Sequence, residues 1–542
     1  MRASKGLLKG LNPTMAMTAL TVITLFLLFG VFVPETAASW FVGAKDQIIA
    51  GFKWYYILVV ALFLFFAVYL MFSRFGSIRL GDDDQVPEFG YFAWFAMLFS
   101  AGMGIGLVFW SIAEPMNHLQ GNPFITEGMT PEAAQIAMRL TFFHWGLHPW
   151  AIYVIVGLSL AFFSYRRKLP LAIRSVLYPL LGDRIYGFWG HAADVLAVFG
   201  TVFGVATSLG LGVSQMNTGL NQMFGMEVSQ ANQLWLIGGI SLIATLSAVS
   251  GVGRGVKLLS ELNIWLSVFV LGLFLVLGPT TYILNAYVQN IGDYLQNIVK
   301  LSFWTNTEAN GTSAWQSSWT AFYWGWWIAW APFVGMFIAR ISKGRTIREF
   351  VLGVLLVPSL LGMFWLTVFG GTAMNLELFG GTAMNLELFG GGGVVAAVNQ
   401  DVTLALYQTV ELLHWETFGW IAKGVLTLLI CTYFITSSDS GTLVITTLLS
   451  IGDQDPPVLH RAIWGLGQGL VAAILLVSGG LAALQAASII AALPFSVIML
   501  AMCYSLMLGL KQESQHQFEY RQKLKRHDGS THMSLLERIG PA

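Results

Sequence analysis

Little in this chain of 542 residues is charged. Asp, Glu, Lys and Arg make up 10% of it and formally cancel, where a soluble domain carries about 25%. A neutral balance with no basic face gives nucleic acid nothing to bind. Cysteine is nearly missing: Cys431 and Cys503 both lie in long apolar stretches, which reads as buried thiols and excludes a disulfide framework. No nucleophile, base and metal set assembles, so a membrane enzyme has no support. The first apolar run does not read as a cleavable leader either, since it meets Pro34 and Glu35 without a small-residue cleavage site. It reads as a retained first span. What is abundant is apolar: 56% of residues are hydrophobic, with 58 Gly and 20 Trp.

A membrane helix needs about 20 mostly apolar residues. Such segments occur at 15–33, 54–73, 91–113, 141–163, 192–218, 234–250, 262–287, 319–339, 347–369, 417–448, 462–480 and 483–510. Cytoplasmic loops carry the excess of Lys and Arg. Arg2, Lys5 and Lys9 precede span 1, and Arg74 and Arg79 follow span 2. Arg166, Arg167, Lys168, Arg174 and Arg184 follow span 4. Arg254 and Lys257 follow span 6, Arg340, Lys343, Arg345 and Arg348 follow span 8, and Arg461 follows span 10. The opposite loops hold only Lys45, Lys53, Arg139 and Lys300. The alternation predicts an all-α polytopic protein with twelve transmembrane helices in a bacterial inner (plasma) membrane, both termini cytoplasmic. Residues 289–301 read as an amphipathic helix along the outer surface, and the tail from Lys511 as polar. The ten letters GTAMNLELFG occur in tandem at 371–380 and 381–390, too short for a solenoid unit. They read as a local duplication in the outer loop after span 9.

Irregular backbone survives in hydrocarbon only where it lines a cavity. Span 3 carries Gly102, Gly104 and Gly106 at alternate positions, and span 8 reads Trp330-Ala331-Pro332-Phe333-Val334-Gly335. Spans 3–7 and 8–12 form two sets of five, and an odd number per set reverses their orientation. A break expected in the first helix of each set is the pointer to the binding site of an inverted-repeat carrier. The plainer alternative is that these glycines let helices pack closely.

Aromatics crowd the same regions. Span 4 contains FHWGLHPWAIY over 143–153, and span 8 contains Trp324, Trp326, Trp327 and Trp330. Interfacial belts account for Trp40, Trp54 and Trp315, but not for Trp beside a break. A quaternary ammonium has no N–H to donate. Aromatic faces hold it instead, at about 0.5–2 kcal/mol each, and a carboxylate would rest on the free N–H groups of unwound glycines. His144 and His148 stand four apart, as metal ligands can, yet read as structural histidines. Asp439, Arg340 and Glu261 read as ion pairs near the cytoplasmic side.

The strings GMGIGLVFWSIAEP, HWGLHPWAIY and YWGWWIAWAPFVGMFIARISKGRTIREF resemble the betaine/choline/carnitine transporter family, in order over residues 15–510. The resemblance implies two leading helices plus a ten-helix core of two inverted five-helix repeats (LeuT-like), assembled as a homotrimer. The chain then divides into a cytoplasmic segment at 1–14, two peripheral leading spans at 15–90 and a first repeat at 91–287. An outer surface helix and loop follow at 288–318, then the second repeat at 319–510 and a cytoplasmic tail at 511–542. The family's substrate box falls on Trp145, Trp150, Tyr153 and Trp327, with Met103, Gly104 and Gly106. A second, more cytoplasmic cluster falls on Trp326 and Trp330, with Phe109 lining the path. Sodium as coupling ion, with no other cofactor, would use Thr436 and Ser437 with backbone near Ser100 and Met103. A second family site uses a threonine matching Thr201, but its companion is Val205 here. Such span 10 hydroxyls can also simply bond to the preceding turn's carbonyls. Related proton-coupled choline carriers place Asp at the Gly106 position, so glycine favours a zwitterion of the glycine betaine type. Choline, dimethylsulfoniopropionate and ectoine stay open as cargo.

Overall fold

The computed structural model describes the backbone of residues 2–102, 104–250, 255–307, 313–380, 393–415 and 417–537. Among the described residues the regular structure is helical, and extended pairing is limited to two isolated bridges, Ala3 with Lys9 and Arg79 with Thr346. Ten helices are long and apolar enough to cross a bilayer. Nine are spans 1 (Pro13–Phe32), 2 (Pro34–Phe72), 4 (Pro131–Arg166), 5 (Phe188–Phe224), 6 (Gln230–Ser250), 7 (Leu258–Leu277), 8 (Ala314–Ile341), 9 (Ile347–Phe379) and 10 (Phe418–Leu449). The last run, Val458–His516, is spans 11 and 12 joined by a hinge. Gly479 and Gly480 leave helical geometry there, Gly480 with a φ of 56° that favours glycine. Span 3 completes the twelve. It is divided into Tyr91–Gly102 and Ile105–Gln120, and neither half is long enough to cross alone.

Local chemistry sets several of these starts. Pro13 follows Asn12, whose side chain accepts from the Met15 N–H, and Pro131 follows Thr130, which caps Ala133 in the same way. Thr346 and Glu349 form a reciprocal capping box at span 9. Burial then sorts the spans. The most apolar windows of spans 4, 5 and 8 are 94%, 83% and 94% buried, against 28%, 33% and 22% for spans 1, 6 and 7. Spans 4, 5 and 8 therefore form the centre, and spans 1, 6 and 7 face outward.

Four expectations need correction. Span 8 does not break at Trp330–Gly335; Phe322–Ile341 is one helix through Pro332, and the irregular turn lies earlier, a wide π-turn over Ser317–Ala321. Gly335 serves packing instead. A Cβ there would come within 2.6 Å of Val156 Cγ1 and 3.1 Å of the Gly157 nitrogen, so spans 4 and 8 cross backbone to backbone. Second, span 7 ends at Leu277 and the surface helix begins at Thr280, because Pro279 cannot continue a helix. Third, the first GTAMNLELFG copy is not loop. It supplies the last helical turns of span 9, Thr372–Phe379, closed by left-handed Gly380; the second copy lies outside the described residues. Fourth, among the described residues Asp439 and Arg340 form no ion pair: Asp439 accepts from the Ser247 hydroxyl at 2.5 Å, and Arg340 shares a cavity with it. The polar tail continues the helix beyond Lys511, and its Glu513 pairs with Arg166 at 2.7 Å.

Candidate functional site

Span 4 carries a break the sequence reading placed elsewhere. Its halves, Pro131–Trp145 and Leu147–Ala161, meet at Gly146 (φ −91°, ψ −127°). A Cβ at Gly146 would lie 2.5 Å from Met363 Cε and 2.6 Å from the Phe142 carbonyl oxygen, so only glycine fits. The surface helix braces this joint: the Leu147 N–H donates to the Tyr294 hydroxyl at 3.2 Å, and His148 Nε2 meets the Ser302 hydroxyl at 2.8 Å. On the other side the His144 carbonyl accepts from Trp327 Nε1 at 2.9 Å.

That bond aligns span 8 with span 4 and gathers the rings. Trp145 meets Trp327 edge to face with centroids 4.9 Å apart, Tyr153 meets Trp327 at 6.4 Å, and Trp150 meets Tyr153 at 5.5 Å. Trp326 stacks on Trp327 at 5.0 Å and 11°, and Trp330 stands edge-on to Trp326 at 6.4 Å. The two clusters thus form one continuous aromatic wall, and all six rings are buried. Phe109 stands apart. It borders a cavity of about 160 Å³ with Asp401, Thr403 and Gln233, whereas Trp330 leads through Phe333 to a cavity of about 260 Å³ with Glu88, Arg340 and Asp439. Phe109 therefore lines the approach from the end opposite the Lys/Arg-rich loops. Span 3 runs away from those loops after its break, while span 8 runs toward them.

Span 3 breaks at Gly104 (φ −148°, ψ −143°). A Cβ on Gly104 would lie 3.6 Å from the Ser437 hydroxyl, so this backbone abuts span 10. At Gly106 a Cβ would lie 2.5 Å from Trp326 Cη2 and 3.2 Å from Trp145 Cη2. Glycine there is what lets both indoles close on span 3. Met103 and the Ser100 side chain lie outside what the structure describes. Thr436 donates to the Tyr433 carbonyl at 3.0 Å and accepts from Asn263 Nδ2 at 3.2 Å. Asn263 of span 7, absent from the sequence reading, is buried, with no partner for its Oδ1 among the described residues. Thr201 donates to its own helix at the Ala197 carbonyl, 2.9 Å away. Its methyl and that of Val205 face Gly441, one turn beyond Ser437.

The sequence reading also missed Glu114, which is fully buried. His144 Nδ1 lies 2.6 Å and His118 Nε2 3.3 Å from its Oε1. Trp145 Nε1 donates to its Oε2 at 2.7 Å, and the Tyr323 hydroxyl at 2.5 Å. Its signal was available: it is the one charged residue between Tyr91 and Gln120, and an ionisable group inside a span is a functional hypothesis by default. Trp315, expected in the interfacial belt, instead donates to His118 Nδ1 at 3.3 Å. Glu114, His118 and His144 bring three donor atoms within 4.8 Å. They do not fit one metal ion, because ligands at about 2.0–2.1 Å in a tetrahedron stand about 3.3 Å apart, not the 2.6 Å of a hydrogen bond. His144 and His148 turn to different partners and form no pair.

A twelve-span bundle with a buried aromatic wall between cavities approaching from opposite ends defines a polytopic membrane transporter, not an enzyme. The chain belongs to the BCCT, or betaine/carnitine/choline, transporter family, whose model matches residues 14–515. It is 46% identical over 495 residues to a probable glycine betaine transporter of Desulfitobacterium hafniense, covering 91% of this chain and 96% of that one. It is 45% identical to the glycine betaine transporter OpuD of Bacillus subtilis, covering 90% and 92%. Against glycine betaine transporter 1 of Vibrio parahaemolyticus the identity is 43%, covering 93% and 94%.

Proposed function

We propose that this protein imports glycine betaine into a bacterial cell by sodium-coupled alternating access. The inner membrane, cytoplasmic termini and a homotrimeric assembly belong to the same reading, as the Lys/Arg alternation and the family resemblance imply. The observation that carries the substrate is the wall of Trp145, Trp327, Trp326 and Tyr153 closing against side-chain-free Gly106. A trimethylammonium group with nothing to donate is held by such faces, and a zwitterion needs no acidic side chain at position 106. The relatives named above for glycine betaine support the choice. Sodium is supported by the Gly104 backbone abutting Ser437, with the Thr436 and Asn263 oxygens nearby in span 10 and span 7. A small hard cation replaces its water with such oxygens.

The test is uptake of labelled betaine into proteoliposomes holding the purified carrier. We expect concentrative uptake only with an inward sodium gradient, and acceleration by betaine preloaded inside, which a channel does not show. Equal uptake in potassium-only buffer assigns the carrier to exchange or proton coupling. Competition by choline, ectoine or dimethylsulfoniopropionate stronger than by betaine reassigns the cargo.

A further inference from the structure

We propose that Glu114 is the positioning residue of the aromatic wall, holding its rings in place and raising their attraction for a cation; this rests on the wall being the substrate site. Glu114 belongs to span 3, His144 and Trp145 to span 4, and Tyr323 to span 8, so one side chain ties three spans together. Its Oε2 takes an indole N–H and a phenol O–H, at 2.7 and 2.5 Å. Its Oε1 takes two imidazole nitrogens, at 2.6 and 3.3 Å. Four donors on two oxygens match an ionised carboxylate, which only accepts.

The surroundings fix the tautomer of His118. An indole N–H can only donate, so Trp315 Nε1 at 3.3 Å makes His118 Nδ1 an acceptor and leaves that ring's proton on Nε2, facing Glu114. His144 turns Nδ1 to Glu114 and Nε2 to the Thr320 hydroxyl at 3.0 Å, which a neutral ring with its proton on Nδ1 satisfies. The His118 ring is then neutral; the Thr320 hydroxyl, which accepts as well as donates, sets no charge on His144. Among the described residues no Lys or Arg lies within ion-pair reach of Glu114, and its basic partners are these two histidines. A carboxylate buried with no Lys or Arg beside it is costly, and its Oε2 faces the N–H and O–H of the adjoining rings.

Those rings are the wall. Trp145 is bonded to Glu114 directly and stands edge-on to Trp327 at 4.9 Å. Tyr323 is also bonded directly and stacks on Trp327 at 5.9 Å and 24°. His144, held by Oε1, offers the carbonyl that fixes Trp327 Nε1, and its ring stacks on Tyr323 at 4.8 Å. Hydrogen bonds in such chains polarise one another. An N–H or O–H given to an anion shifts electron density onto the ring face, where the quadrupole meets a cation. Glu114 touches no substrate; it acts through Trp145, Tyr323 and Trp327.

The bland alternative is a brace that merely joins three spans. A carbon isostere of betaine, 3,3-dimethylbutanoate, separates the two, having the same shape and carboxylate but no cationic centre. Glu114→Gln, Glu114→Asp and Trp145→Phe carriers, purified as monodisperse protein, would be compared in proteoliposomes. For Glu114→Gln we expect the betaine KM to rise about tenfold with Vmax within about twofold. The inhibition constant of the isostere should stay within about twofold of the original, since uncharged packing does not feel ring polarisation. Glu114→Asp, which keeps the charge, should recover part of the loss. Trp145→Phe keeps a ring but has no N–H, so it should show the same betaine-selective loss even where Glu114→Gln fails to fold. Equal weakening of betaine and isostere in the Trp145→Phe carrier, or no change in either, overturns the proposal. If Trp327→Leu weakens betaine while these variants do not, only this inference falls. If Trp327→Leu is silent as well, the wall is not the site.

Discussion

Trp327 is held on every side: its N–H by the His144 carbonyl, one face by Trp326 at 11°, its edge by Trp145. Leucine at this position keeps bulk but has no π face and no donor. A cation–π contact in a dry site contributes up to about 2 kcal/mol, and each 1.4 kcal/mol is about a tenfold change in affinity. We therefore expect Trp327→Leu to raise the betaine KM at least tenfold, read in the uptake assay; an unchanged KM in both Trp327→Leu and Trp150→Leu removes the wall from the binding site. The individual rings were legible in the sequence because Trp in mid-span beside glycine is not a belt position. Glu114 was not picked out, although it stands inside the quoted GMGIGLVFWSIAEP string. Its partners arrive from residues 118, 144, 145 and 323, and no local spacing joins a carboxylate to donors on two other spans.

Among the elements, span 3 and span 8 show what a helix pattern can and cannot reveal. Alternate glycines at 102, 104 and 106 cannot all serve one packing face, and the break at Gly104 follows. Pro332 and Gly335 looked equivalent, but a proline in a span can be absorbed by its neighbours, and Gly335 is spent on the crossing with Gly157. Gly146, the real break in span 4, was hidden in a string read only for its aromatics. Gly335→Ala should therefore be a packing lesion: its Cβ would press on Val156 and the Gly157 backbone, and overfilled contacts cost about 1–3 kcal/mol. We expect a lower melting temperature in detergent with the betaine KM little changed; a large KM change with normal stability would return span 8's break to this position. Span 10 carries a second prediction. Replacing Thr436 and Ser437 by Ala removes two oxygens beside the span 3 break while leaving every ring in place. The sodium concentration for half-maximal uptake should rise at least about tenfold, with betaine still bound at high sodium. Unaltered sodium dependence reduces these hydroxyls to the carbonyl-bonded role that Thr436 already plays with Tyr433.

For the whole molecule, the two cavities are the decisive feature. The larger, near Arg340 and Asp439, also touches Leu171 and Gln454 of the Lys/Arg-rich loops; the smaller is bounded by Asp401, Gln233 and Leu481 at the other end. The spans could be read from apolar segments, with charge placement as the check on their number, because both are local properties of sequence. The cavities could not, since each is lined from four or more segments far apart in the chain. If the wall is one site reached alternately from both ends, a conformational shift must open one cavity as it closes the other. Two reporters follow from the lining: Ser440→Cys in the larger cavity and Gln233→Cys in the smaller, each in a background with Cys431 and Cys503 replaced. Both native thiols are partly buried, so their removal leaves a single labelled site. Sodium with betaine should change the rate at which a polar maleimide labels the two reporters in opposite directions. A ligand shifts such an equilibrium only by its differential affinity for the two states, so the rate changes should saturate at the betaine concentration that half-saturates uptake. Reporters that speed up together would mean a continuous pore, and a carrier mechanism would then be untenable for this chain.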